Sequence, residues 1–75
     1  MLSTPEDAIA RMYLRRGLSR RQLADVERHL ETVARGRYAF GSYSDWTTLE
    51  LTDAADLLSI WKTFPGLIDG WRKLP

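Results

Sequence analysis

The segment Arg15-Arg16-Gly17-Leu18-Ser19-Arg20-Arg21 is the strongest constraint on how this chain can fold. Gly17 is a natural left-handed terminator of a helix. Ser19 and Gln22 form an S-x-x-Q capping box that opens the next helix, and Leu18 is placed to staple onto Leu23. One residue separates the stop from the cap. The two flanking elements must therefore be neighbours joined by a tight corner.

The residues before the corner predict a helix over 4–16. Thr4 suits the N-cap, and Pro5 suits the first helical position, where its missing N–H costs nothing. Glu6 and Asp7 sit in the first turn and Arg15 and Arg16 in the last, each on the side the helix dipole favours. Ile9, Met12 and Tyr13 share one face at helical spacing, with Ala8 beside them. Leu14 does not fit, because it points toward the side of Asp7 and Arg11. It reads either as an ordinary exposed leucine or as a sign that this helix is covered on two sides.

After the corner, the pattern predicts a helix over 19–35. Its core stripe is Leu23, Val26, Leu30, Val33 and Ala34, and Gly36 ends it. Residues 37–46 then bring Tyr38, Phe40, Tyr43 and Trp46 around Gly41 and two serines, which reads as an aromatic loop. Large rings in such a loop cap the open end of a small core. Trp46 to Leu51 reads as an extended segment by β-propensity or as a two-turn helix capped by Ser44. The helix is expected, because a single strand would have nothing to pair with. A third helix is predicted over 53–64, with Ala54, Leu57, Leu58, Trp61 and Phe64 on one face and Pro65-Gly66 as its stop. The tail is expected to fold back as loop or helical turn and lay Trp71 on the core. The expected architecture is one all-α domain over 1–75, with three main helices and one or two short helical fragments.

A chain of 75 residues buries only about 60% of the surface its unfolded form exposes, so the core is thin. With no cysteine, neither disulfides nor thiolate zinc can reinforce it. Hydrophobic residues at 44% and three tryptophans supply the packing instead. Residues 1–7 carry no secretory pattern, and apolar runs reach only two to three residues, far short of the ~20 of a membrane span. A soluble, cytoplasmic protein without a membrane partner is expected.

Catalysis is not expected, and no cofactor is implied. The single histidine, His29, lies one turn after Asp25, and two ligands do not make a metal site. A solvated His29 beside Asp25 is expected. No G-x-S-x-G motif and no phosphate-binding glycine loop is present. The acidic pairs Glu6-Asp7 and Asp53 with Asp56 fall at predicted helix starts, where the dipole accounts for them.

The arginines remain. Residues 1–38 hold eight arginines against five acids, a balance of +3, while the rest of the chain sums to −2. Between Arg11 and Arg21 there are five arginines and no acid. Arg20 and Arg21 oppose the dipole in a first turn, where a sequence tuned for stability alone would place acids. Residues 16–24, Arg-Gly-Leu-Ser-Arg-Arg-Gln-Leu-Ala, resemble the first helical junction of repressor-type helix-turn-helix domains. The resemblance implies DNA binding. After Ala24, however, the helical pattern runs on to Ala34, where that family would turn into a recognition helix.

Arginine and aromatic residues also dominate interface hot spots. The function expected is docking on another protein, as a regulator or inhibitor, through Arg11, Leu14, Arg15, Arg16, Arg20, Arg21, Tyr38, Phe40 and Tyr43, with Trp46 as a further anchor. Nucleic-acid binding is the alternative. Self-association into a homodimer through Leu14 and Ile60 is a variant of the first.

Overall fold

The computed structural model describes residues 6–75. The chain is not all-α: its described residues form four strands and two helices. In order they are β1 (Ala10–Leu14), α1 (Arg20–Val33), β2 (Tyr38–Tyr43), β3 (Trp46–Leu51), α2 (Ala54–Thr63), a single 3-10 turn (Pro65–Leu67) and β4 (Ile68–Lys73). The strands form one sheet in the order β2-β3-β1-β4, with every neighbouring pair antiparallel. β1 and β2 therefore run parallel with β3 between them, and β3 and β4 run parallel with β1 between them. This is the split β-α-β, or ferredoxin-like, arrangement.

The predicted helix 4–16 is overturned by β1. Ala10, Met12 and Leu14 alternate into the core, the last two with no exposed surface. Arg11 and Tyr13 face the opposite side, since side chains along a strand alternate between faces. Leu14, the misfit of the helical reading, is therefore a core residue and the sign of a period of two. Thr4 and Pro5, read as a cap and first turn, lie outside the described residues. Gly17 does turn the chain, with φ of +82°, but it ends a strand rather than a helix.

The aromatic loop 37–46 and the helix expected over 46–51 are instead a hairpin. Tyr43 pairs with Trp46, leaving Ser44-Asp45 as a two-residue turn. Ser44 takes the positive φ of +54° that such turns demand, a seat usually held by glycine or asparagine. β3 has a neighbour on each side, β2 and β1, which removes the objection that a strand here would be alone. The tail is β4, with Trp71 47% exposed on the rim instead of laid on the core.

α1 and α2 fall inside two of the three predicted helices. The Ser19–Gln22 capping box is formed in both directions, at 2.9 and 3.1 Å. Asp53 caps α2 by accepting from the Ala55 N–H at 2.7 Å. Both helices lie on one face of the sheet. Val26 and Leu30 of α1 and Leu57 and Ile60 of α2 pack with Ala10, Met12, Leu49 and Leu51 as one core. Tyr38 and Phe40 point to this side too, in register with Leu51 and Leu49.

One polar contact joins the two ends of this layer. Asp56, only 2% exposed, accepts the Arg35 N–H at 2.8 Å and the Gly36 N–H at 2.9 Å. Its carboxylate thus holds the chain leaving α1 against the start of α2. Gly36 makes the approach feasible, since a Cβ there would meet Thr52 Oγ1 at 2.4 Å. Asp56 is therefore more than a dipole partner.

Removing a buried partner leaves its donors unpaired. Asp56→Ala should lower unfolding free energy by about 2–3 kcal/mol in urea titration. That is a large share of the ~5–10 kcal/mol expected for a domain of this size. A loss below about 0.5 kcal/mol, the level of an ordinary surface change, would show the contact to be dispensable.

Candidate functional site

No helix covers the second face of the sheet among the described residues. Period-two alternation sends Arg11 and Tyr13 of β1, Trp46, Thr48 and Glu50 of β3, Tyr43 of β2, and Gly70 and Arg72 of β4 to this face. Thr48 and Glu50 are nevertheless buried, at 2% and 7% exposure. Large neighbours on the same face do the covering.

Three rings meet there. Tyr13 makes edge contacts with Tyr43 and Trp46, with ring centres 6.0 and 5.9 Å apart. Two guanidinium groups lie over the outer rings: Arg11 is 6.0 Å from the Tyr43 centre and Arg16 5.1 Å from that of Trp46. Such cation–π contacts orient an arginine without consuming its charge. Arg11 also pairs with Glu50 at 3.5 Å, and Arg16 with Asp45 at 3.6 Å. The Arg11 guanidinium holds the Tyr13 phenol below its ordinary range against the opposing effect of burial, and Arg72 adds to the lowering.

Between the rings lies a depression of about 220 Å³, lined by Tyr13, Tyr43, Trp46, Asp69 and Gly70. The register between β1 and β4 slips at this point: Leu14 pairs with Ile68 and Tyr13 with Gly70, so Asp69 is an extra residue in a β-bulge. The bulge turns its carboxylate to the open face, where Oδ2 accepts from the Trp46 indole N–H at 2.9 Å. Trp46 thus reaches from β3 past the end of β1 to β4.

The structure divides the expected docking residues. Arg11, Arg16, Tyr43 and Trp46 come together on the open face. Arg15, Arg20 and Arg21 are exposed where β1 turns into α1, and no ion pair of theirs is found among the described residues. Leu14 is interior and cannot touch a partner, and the same holds for Ile60, so the homodimer contact proposed through that pair does not exist. Tyr38 and Phe40 belong to the helix side, where burial raises the Tyr38 phenol. The helix-turn-helix junction is also absent, because the element before Gly17 is a strand.

Tyr13, read as part of a helical face, and Asp69, Gly70 and Arg72 are not among the site residues expected from the sequence. The alternation Arg11-Met12-Tyr13-Leu14 was the available signal for the first.

On the other side, His29 is not solvated beside Asp25. Its Nε2 lies 2.7 Å from Ser59 Oγ, and its ring meets Phe64 edge-on, so it bridges α1 to α2. Asp25 pairs with Arg28 instead. Among the described residues no group of three or more His, Cys, Asp or Glu is placed to hold a metal, and no helix is long and apolar enough to cross a membrane. Comparison with protein-family models, curated proteins and solved structures finds no match.

The electrostatics of the open face can be read from tyrosine titration. By phenolate absorbance and ring NMR, Tyr13 should ionise below the ordinary tyrosine range and Tyr38 above it. Arg11→Ala should raise the Tyr13 midpoint more than Arg72→Ala does. An unchanged midpoint in both variants would mean the arginines do not face that hydroxyl.

Proposed function

We propose that this chain binds single-stranded nucleic acid across the open face of its sheet. The observation that carries the reading is the meeting of Tyr13, Tyr43 and Trp46 with Arg11, Arg16 and Arg72 on a face that no helix covers among the described residues. A four-stranded sheet with rings on its surface is a stacking platform for unpaired bases, each worth about 1–3 kcal/mol. Tyr43, 54% exposed, is the most open of the three rings.

The charges suit the same occupant. The Arg16–Asp45 pair is solvent-exposed, and exposed pairs contribute about 0–1 kcal/mol. Arg16 can exchange Asp45 for a phosphate at little cost. The net charge of +1 argues against duplex binding driven by a broad basic surface. It fits a small number of phosphate contacts supplemented by stacking.

Intrinsic tryptophan fluorescence should detect binding of an octanucleotide single strand, with duplex binding far weaker. If three phosphates are neutralised, log K should fall with log salt at a slope of about −2. Tyr43→Ala should weaken binding about tenfold or more, and Arg72→Ala should flatten the slope. Absence of binding at low salt, or binding indifferent to both changes, overturns the reading.

A second reading keeps the expected protein partner, on a different surface. An apolar groove of about 270 Å³ runs between β4 and α2, lined by Ile9, Leu57, Leu58 and Trp71 among others. If a second copy occupies it, the solution mass should be that of a dimer, and Leu58→Glu should return it to a monomer. A monomeric wild-type protein removes the homodimer.

A further inference from the structure

We propose that the depression beside Tyr13 is a pocket for a guanine base, with Asp69 reading its Watson–Crick edge. The inference rests on the single-strand reading above and names which base that face selects.

Three independent features build the pocket. The bulge between Ile68 and Gly70 places Asp69 on the open face, and bulges commonly serve to re-aim one side chain next to a functional site. Gly70 stands opposite Tyr13, lines the depression and puts no side chain into it. The Trp46 indole N–H fixes one oxygen of the Asp69 carboxylate at 2.9 Å. An ionised carboxylate offers two oxygens with about four acceptor positions, so one indole contact leaves capacity facing the depression.

The chemistry of that capacity selects the ligand. A carboxylate only accepts hydrogen bonds. Guanine presents two adjacent donors, N1–H and the N2 amino group, and no acceptor between them. On the corresponding edge, adenine and cytosine place a ring-nitrogen acceptor beside their amino group. Uracil and thymine flank a single N–H with two carbonyl oxygens. Each of these brings a lone pair against the carboxylate, which is repulsive. A depression of about 220 Å³ walled by Tyr13, Tyr43 and Trp46 is large enough for one purine and offers rings to stack on it.

An aromatic hollow with an acid also suggests a quaternary ammonium ligand. The guanidinium charges of Arg11 beside Tyr43 and Arg16 beside Trp46 oppose this, because they repel a second cation without repelling a neutral base. The same arginines favour a ligand that carries phosphate.

The test compares four octanucleotides that are uridine throughout except for one central G, A, C or U. Titration of the full chain by tryptophan fluorescence should show the G strand binding about tenfold tighter than the other three, the discrimination of one bidentate base contact. Asp69→Asn replaces an acceptor with a donor. It should abolish the preference for G, bringing the affinities of the G and all-uridine strands together. Guanosine monophosphate added to the unmodified protein provides a second readout, independent of any variant. It should shift the Trp46 indole N–H and Gly70 amide resonances, and adenosine monophosphate and tetramethylammonium should not.

Equal binding of all four strands overturns the guanine pocket and leaves the stacking platform standing. A G preference that survives Asp69→Asn overturns the role of the carboxylate. Tetramethylammonium shifting the same resonances would replace the base with a cation. Failure of every strand to bind removes the platform and the pocket together.

Discussion

Two helices can cover only one face of a four-stranded sheet, and everything distinctive about this molecule follows from that shortage. The covered face is conventional: Ala10, Met12, Leu49 and Leu51 meet the apolar stripes of α1 and α2. The bare face has to seal itself. Tyr13, Tyr43 and Trp46 lean on one another edge to face, Arg11 and Arg16 lie over the outer two rings, and Thr48 and Glu50 are shut off from water among them. The side chains proposed to receive a ligand are therefore also a second, thinner layer of the protein. A site of this kind is held in place by its own packing, which lowers the entropy lost when a base or phosphate arrives.

The helix layer has its own polar fasteners. Asp56 grips the chain as it leaves α1, and His29 reaches Ser59 across the two helices. These contacts lie at the periphery of an otherwise apolar core, where each group can find its partner without breaking the packing. The sheet edges are managed differently. β4 carries Asp69, Arg72 and Lys73, and charges on an edge strand discourage pairing with another chain. β2, the other edge, ends in a turn with a strained serine.

What the sequence revealed and what it concealed divide along physical lines. α1 and α2 were legible because helices carry local punctuation: Ser19 with Gln22, Asp53, and the stop at Pro65 each act within a few residues of the helix end they set. The strands were not, because a strand is stabilised by partners far away along the chain. β1 has five residues, and Ile9, Met12 and Tyr13 mimic a helical face by coincidence of spacing. The hairpin was hidden because serine, not glycine, holds the left-handed seat at 44. The site was half legible for the same reason. The arginine-rich corner could be seen as charge, and Tyr43 and Trp46 as rings. Tyr13, Asp69 and Arg72 gained their meaning only once the register set them side by side. Leu14, Tyr38 and Phe40 look like surface anchors in a loop or helix, but strand alternation turns them inward.

The β1–β4 pairing joins Ala10 to Lys73, two positions near opposite limits of the described chain. Closing so wide a span is entropically late work in folding. The bulge at Asp69, and with it the depression, exists only after that closure. The open face is consequently a reporter of completion: fraying of the outermost strand would dismantle the hollow while most of the helix layer persisted. Any molecule seated there would act as a clasp on the seam between the two strands, and its occupancy would be felt first as slower escape of β4 from the sheet.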